Sequence, residues 1–402
     1  MKPAAEGSPA VAAGPLSGVT VVAVEQAVSA PMCTRTLADL GARVIKIENP
    51  SGGDFTRQYD QVVRGLAAHF VWANRGKESV TLDLKHPAGF DVMHRLLARV
   101  DVLVTNLGPG AAGRLGIDPA TLRVRHPRLI VLEISGYGNG PLAHKRAYDL
   151  LIQAESGACA TTGLPGQPAK SGPPVVDVCT GLYGAISILA GLHDRGRTGQ
   201  GLSSTVAMFD AATELMGYAL THARYSGSNQ PPVGMGSPAV APYGAYATAD
   251  GRVVVLGTTN DAEWRRLAAL IGRPELATDD RFRSNAERVA HRGELDEILA
   301  AWCTTRPLQE IQDAADTANI GNAQYNTPLD VVSHPELAAR GRWRDIASPV
   351  GSVHALLPPP VIADRPARMG AVPALGEHTA AVLAELGFSQ EEITDLRQAG
   401  TV

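Results

Sequence analysis

Aromatic residues are scarce in this chain, at 5% of 402 residues. Base-stacking surfaces are built from such rings, so the scarcity argues against a nucleic-acid platform. No block of like charge runs through any segment, and 36 Lys and Arg against 40 Asp and Glu leave a net charge of −4. That balance argues against a phosphate-tracking patch and against a polybasic membrane anchor. No unbroken apolar run reaches the roughly 18 residues that a bilayer span requires. The opening MKPAAEGSPAVAAGP lacks the basic start and apolar stretch of a secretory signal, so residues 1–15 read as a disordered lead-in. Four cysteines, at 33, 159, 179 and 303, form no CxxC pair and no metal-ligand spacing. Free thiols in the cytoplasm, and no metal site, are the expectation. Also missing are GxGxxG, GxSxG, HExxH and the P-loop GxxxxGK[ST], which removes the usual signatures of dinucleotide, hydrolase, zinc-protease and NTPase chemistry.

What is present is an alternation of strand and helix. Strand patterns run over Val19–Val24, Arg43–Glu48, Ser79–Leu84, Val100–Leu107 and Leu129–Ser135. Helical patterns separate some of them, at Cys33–Leu40 and Ala88–Arg99. Continuous apolar strands between helices predict a mostly parallel sheet covered on both faces, an α/β, Rossmann-like layer. An apolar helix from Cys179 to Arg195 ends this large domain, 16–195, at the turn-rich RTGQG. A linker over 196–232 carries one helix, Met208–His222. A small α+β domain over 233–325 follows. It shows a hairpin pattern at Tyr243–Gly257 and helices at Ala262–Ile271, Ala286–Trp302 and Leu308–Thr317. The proline-rich stretch 326–375 reads as a return linker, so that 376–402 rejoins the large domain. Ser389 to Glu392 is a capping box for a last short helix.

Few residues stand out for chemistry. Asp177, in PPVVDVCTG, follows two valines directly before a helix. It reads either as the cap of that helix or as a reactive acid among apolar neighbours. Asp149 of AYDLL has the same two readings. Gly234-Met235-Gly236 is a flexible loop able to bring backbone N–H groups to a ligand oxygen. Lys46, Lys77, Lys85, Arg114 and Arg146 lie at strand ends and in loops. Singly each reads as a surface charge, and together they would suit a phosphorylated ligand.

A set of ordered blocks goes further. PLSGVTVV (15–22), LADLGARVIKIENPSGGDFTR (37–57) and NRGKESVTLDLK (74–85) are followed by VDVLVTNLGPGAAGRLG (100–116) and PRLIVLEISGYGNGP (127–141). RAYDLLIQAESG (146–157), RTGQG (197–201) and PALGEHTAAVLAELG (373–387) complete the set. With these blocks the chain resembles the class III CoA-transferases, the CaiB/BaiF-like family of formyl-CoA and carnitine CoA-transferases. The resemblance implies an acyl-CoA:carboxylate transferase with no tightly bound cofactor, coenzyme A and acyl-CoA being substrates. It places the catalytic aspartate at Asp177 and an oxyanion loop at Gly234, Met235 and Gly236. CoA contacts are implied at Val28, Ser29, Asn49, Leu82, Lys85, Asn106, Leu107, Arg114, Arg146, Ala147, Tyr148 and Asp149. It further implies an interlocked homodimer whose two long linkers thread one subunit through the other, with no nucleic-acid or membrane partner.

Two other functions resemble this one in part. α-Methylacyl-CoA racemases share the fold but carry a GHD block, where this chain has Ala147-Tyr148-Asp149. A phenol with a pKa near about 10 is a poor base at neutral pH. An acyl-CoA-binding protein without catalysis would not need Asp177. Residues 322–343 and 348–359 are similar to those of relatives acting on C4–C5 dicarboxylates such as succinate, mesaconate or itaconate.

Overall fold

The computed structural model describes residues 14–402. Apart from Gly14 and Pro15, the expected lead-in lies outside the described residues. The chain divides into two compact units. One holds the residues through Ser156 together with Ser171–Gly217 and Gly341–Val402, and the other holds Gly157–Lys170 with Tyr218–Arg340.

The first unit is built on a six-stranded parallel sheet. Its strands are β1 (Thr20–Val24), β2 (Arg43–Glu48), β3 (Lys77–Thr81), β4 (Val102–Thr105), β5 (Ile130–Ser135) and a sixth, Ser203–Ala207. The spatial order is β3-β2-β1-β4-β5 and then the sixth strand, so chain direction across the sheet reverses between β1 and β4. Successive side chains of a strand face opposite sides, and both sides are apolar here. Val21, Ala23, Val102, Val104 and Leu132 face one core, which α1 (Ser29–Asp39) and the long helix Val175–Thr198 cover. Val22, Val24, Leu103 and Val131 face the other, under the helices Pro87–Leu97 and Thr379–Glu385. The α/β, Rossmann-like expectation is therefore met by a parallel central sheet.

Several boundaries differ from the sequence reading. Ser203–Ala207, expected inside a linker, is the outer strand of the sheet. Its SSTVA sequence is small and polar because an edge strand buries only alternate side chains. The helix expected at Met208–His222 is two, Met208–Leu215 and Gly217–Ser226, with the break at the glycine. Within the expected return linker lies a hairpin, Trp343–Ile346 with Val353–Leu356, and the first unit begins again at Gly341 rather than at 376. The β3 edge is covered from the far end of the chain. Gly376 N–H bonds Ser79 Oγ at 2.9 Å, Ser79 N–H bonds His378 Nδ1 at 3.2 Å, and Thr81 N–H bonds Thr379 Oγ1 at 2.9 Å.

The long helix has 24 residues and is apolar enough to span a bilayer by length and composition. No unbroken apolar run of bilayer length occurs in it, because Asp177 interrupts its apolar stretch. One face of it is inside the protein, where Thr180, Gly181, Gly184, Ala185 and Ile188 meet α1 and β5. A methyl group at Gly181 would lie 2.5 Å from the Ser29 carbonyl oxygen and 2.9 Å from Met32 Cβ. Glycine is required there by proximity rather than by backbone conformation.

The second unit contains a three-stranded antiparallel sheet, ordered Gly321–Gln324, Val253–Gly257, Tyr243–Ala247. Trp264, Phe282, Leu295 and Leu299 fill its core. The helix expected at Ala286–Trp302 is broken at His291 into Asn285–Ala290 and Arg292–Cys303. Leu308–Thr317 is helical over the expected residues.

Gly181→Ala should force α1 away from the long helix and cost about 1–3 kcal/mol by overpacking. Denaturant titration would read this as a lowered midpoint, and an unchanged midpoint would show that the two helices separate freely.

Candidate active site

In an open parallel sheet, the ends of two neighbouring strands whose connections run in opposite directions leave a crevice between their loops. Here that place is the carboxyl ends of β1 and β4. A cleft of about 810 Å³ opens there, and its lining includes Gln26 and Ala27 after β1, Asn106 and Leu107 after β4, and Ser135 at the end of β5. Asp177 lies in the cleft wall and is 9% exposed.

Asp177 is the third residue of the long helix and does not cap it. The residue preceding that helix, Pro174, has no side-chain capping bond. The cap comes from elsewhere in the chain. Asp149 Oδ1 accepts the N–H of Val176 at 2.9 Å and of Asp177 at 3.2 Å. Asp149 Oδ2 accepts from Gln153 Nε2 at 2.5 Å, which fixes the carboxylate in that role. The capping reading thus belongs to Asp149, acting on a helix 27 residues away in sequence. The side chain of Asp177 is left free to face the cleft.

Burial, then the negative charge of Asp149, pushes the Asp177 carboxyl up to about 7, while a hydrogen bond from Ser29 acts in the opposite direction. Desolvation outweighs the favourable field of the helix N-terminus at this position.

Of the residues named from sequence, Ser29, Asn106, Leu107, Arg114, Arg146, Ala147 and Tyr148 line the cleft with Asp177. Val28 and Leu82 do not, because their side chains are buried in the protein. Asn49 and Lys85 are exposed outside the lining, and Asp149 stands behind Asp177. Gly234, Met235 and Gly236 belong to the second unit. Gly234 N–H is bonded to the Gly163 carbonyl at 2.7 Å and Gly236 N–H to the Val233 carbonyl at 3.1 Å, so both amides are engaged inside that unit.

Lys46 and Lys77 are not surface charges. Both side chains are fully buried, and they meet Asp54 and Glu25. Lysine inside a strand is tolerated there only because carboxylates neutralise it. The sequence reading also missed Gln26, Ala27, Phe55, His144 and Lys145, all of which line the cleft. The adjacent His144-Lys145-Arg146 run was a visible signal for a ligand phosphate; Ala27 carried none. Among the described residues no three His, Cys, Asp or Glu gather so as to hold a metal ion.

The profile of CoA-transferase family III matches residues 16–379. The chain belongs to this family. Family III relatives include the succinate–glutarate CoA-transferase of Agrobacterium fabrum, 35% identical over 390 residues, which span 92% of this chain and 96% of that protein. The succinyl-CoA–D-citramalate CoA-transferase of Chloroflexus aurantiacus is 31% identical, over 95% of this chain and 97% of its own length. Among solved structures, a CAIB/BAIF family protein from Brucella suis is 34% identical and superimposes with a TM-score of 0.81, over 93% of this chain and all of that one. The chain is accordingly a family III CoA-transferase, with CoA thioesters as substrates.

Because the folded protein holds the Asp177 proton more tightly than the unfolded chain does, this group stabilises the fold at acid pH. The contribution is lost as pH rises from about 4 through about 7. Asp177→Asn should therefore be more stable than the parent at pH 8, by on the order of 2–4 kcal/mol, with the gain vanishing near pH 4. Chemical denaturation at both pH values checks this; a gain independent of pH would contradict it.

Proposed function

We propose that Asp177 carries the acyl group as CoA passes from an acyl-CoA donor to a carboxylic acid. The observation that supports this best is its placement: a buried carboxylate, free of structural bonds to its own helix, in the wall of a cleft at the sheet's switch point. Thiolates of pKa about 8.5 are good leaving groups, so a carboxylate can displace CoA from a thioester. Asp177 attacks the donor carbonyl, the C–S bond breaks, and a mixed anhydride and CoA thiolate result. The thiolate then attacks the aspartyl carbonyl, releasing the donor's acid and leaving an aspartyl-CoA thioester. The acceptor carboxylate displaces the thiolate to give a second anhydride. Thiolate attack on the acceptor's acyl carbon then completes the exchange and regenerates Asp177. No net proton or electron is consumed. A carboxyl group poised near neutrality suits this role, combining raised basicity with a useful ionised fraction.

Arg114 and Arg146 are the phosphate partners we assign to CoA, within the wider set of contacts named from sequence, and Lys145 beside them adds a third cation. We assign Gly234–Gly236 as the oxyanion loop. Its glycine amides would have to exchange their present carbonyl partners for substrate oxygen. C4–C5 dicarboxylates are the acids we favour, supported by the succinate, glutarate and citramalate named in the relatives. Four free cysteines agree with a cytoplasmic setting. An interlocked homodimer is supported by the long helix's outer face, where Leu182, Ile186 and Leu189 are exposed, Ile186 to 58%. Racemase chemistry is the competing reading: Tyr148 at the GHD position argues against it, and the only support for it is that His144 also lines the cleft.

Asp177→Ala should lower transfer by at least about 10³-fold with acyl-CoA binding retained. Donor and acceptor panels followed by mass spectrometry would measure this and identify the acids. Normal turnover in the variant would remove the mechanism, and deuterium uptake from D₂O at the α-carbon of a 2-methylacyl-CoA would favour the racemase. Ile186→Glu should convert dimer to monomer in light scattering; a persistent dimer would place the interface elsewhere.

A further inference from the structure

Directly under the cleft lies a group of charges that the proposed reaction does not use. Glu25, Lys46, Asp54 and Lys77 are all buried, and none lines the cleft. Lys77 Nζ meets Glu25 Oε1 at 2.7 Å, and Lys46 Nζ meets Asp54 Oδ2 at 2.8 Å and Glu25 Oε1 at 3.4 Å. Two positive and two negative groups balance. Buried ion pairs are commonly no more stabilising than apolar packing of the same volume, so their presence calls for a conformational role.

The turn they surround is unusual. Ala27 has φ of 64°, the left-handed region, which costs an L-residue roughly 1–2 kcal/mol. Non-glycine residues hold such a conformation only where the surroundings impose it. Here each residue of the turn is gripped. Lys46 Nζ donates to the Glu25 carbonyl at 3.3 Å. Asn106 takes Gln26 from both sides, accepting its N–H at 2.9 Å and donating to its carbonyl at 2.7 Å. Asp54 Oδ1 accepts the Ala27 N–H at 3.3 Å, and is itself held by Thr56 N–H and Oγ1 at 2.9 and 2.8 Å. Thr34 of α1 donates to Glu25 Oε2 at 2.7 Å, so the helix that follows the turn is tied to the same charges.

α1 begins two residues after Ala27, with Ser29, which lines the cleft together with Asp177 and whose carbonyl lies where a side chain at Gly181, one turn beyond Asp177, would have to go. We infer that Asp54 and Asn106 are positioning residues of the transferase, which lock the Gln26–Ala27 turn so that the first turn of α1 presents Ser29 to Asp177. The inference rests on Asp177 being the nucleophile. Asp54 does not line the cleft and reaches it through Ala27 and through the short helix from Phe55 that it caps, whereas Asn106 lines the cleft itself. A strained turn held by buried charges gives Ser29 one position, where a glycine at residue 27 would give it several.

The decisive variant is Ala27→Gly, which removes the conformational cost while leaving the core intact. Its melting temperature should equal or exceed that of the parent, while kcat falls about tenfold or more and KM for acyl-CoA changes by less than about threefold. The acid limb of the pH–rate profile should move to higher pH as the Ser29 bond loosens. The other titratable groups whose charges interact with Asp177 are Asp149 and Tyr59. Asp54→Asn, which keeps the acceptor for Ala27 but not the charge facing Lys46, should change kcat in the same direction. Where it fails to fold, adding Lys46→Met restores charge balance and the comparison. Unchanged kcat and pH profile in Ala27→Gly, or a loss of activity that tracks a loss of stability, would overturn the inference. Hydroxylamine trapping separates this from the underlying mechanism. No hydroxamate at residue 177 of the parent defeats the nucleophile assignment itself. Hydroxamate forming in one turnover equally fast in parent and Ala27→Gly defeats only the positioning role.

Discussion

The first amide groups of a helix have no carbonyl above them to bond, and the amides of Val176 and Asp177 are two of these. The Asp149 carboxylate takes both. Most of what distinguishes the cleft follows from that substitution of one acid for another. Had Asp177 closed its own helix, its oxygens would be occupied and its proton held loosely. With Asp149 in that role, Asp177 makes no capping bond to its own helix and is repelled by a neighbouring negative charge. Two neighbouring carboxylates thus end in different environments, one bonded to backbone amides and the other buried with its pKa raised.

Much of the scaffold was legible in the chain itself. β2 was delimited residue for residue because the β-branched Val44, Ile45 and Ile47 lie between Gly41 and the Asn49-Pro50 turn. Leu308–Thr317 was equally clear, with Pro307 at its start. Ser203–Ala207 escaped notice because an edge strand needs little hydrophobicity, so its signal resembles that of a loop. The charged residues were harder still. Lys46 and Lys77 look like solvated lysines until the positions of Glu25 and Asp54 are known, and ion-pair partners 8 to 52 residues apart leave no mark in local pattern. Asp149 as the cap of a distant helix is invisible for the same reason. The family resemblance pointed to Asp177, but it did not say what surrounds it.

Both helices that surround Asp177 are packed by absence of side chain. Gly181 lets α1 approach the long helix, and Gly184 lets the same helix settle on Leu132 of β5. Such proximity transmits displacement with little slack, because a close-packed interior deforms poorly. Ser29 is thus constrained from below by buried charges and from the side by a helix backbone, while only the cleft side is open to ligand.

The covering of β3 by Gly376, His378 and Thr379 bears on how the protein is made. The sheet's five ladders can form once Ala207 has left the ribosome, but the β3 edge stays uncovered until some 170 further residues have been synthesised. An unpaired edge is a template for another chain's strand. During that interval the nascent protein offers one, and the second unit, encoded between the two, sets how long the interval lasts.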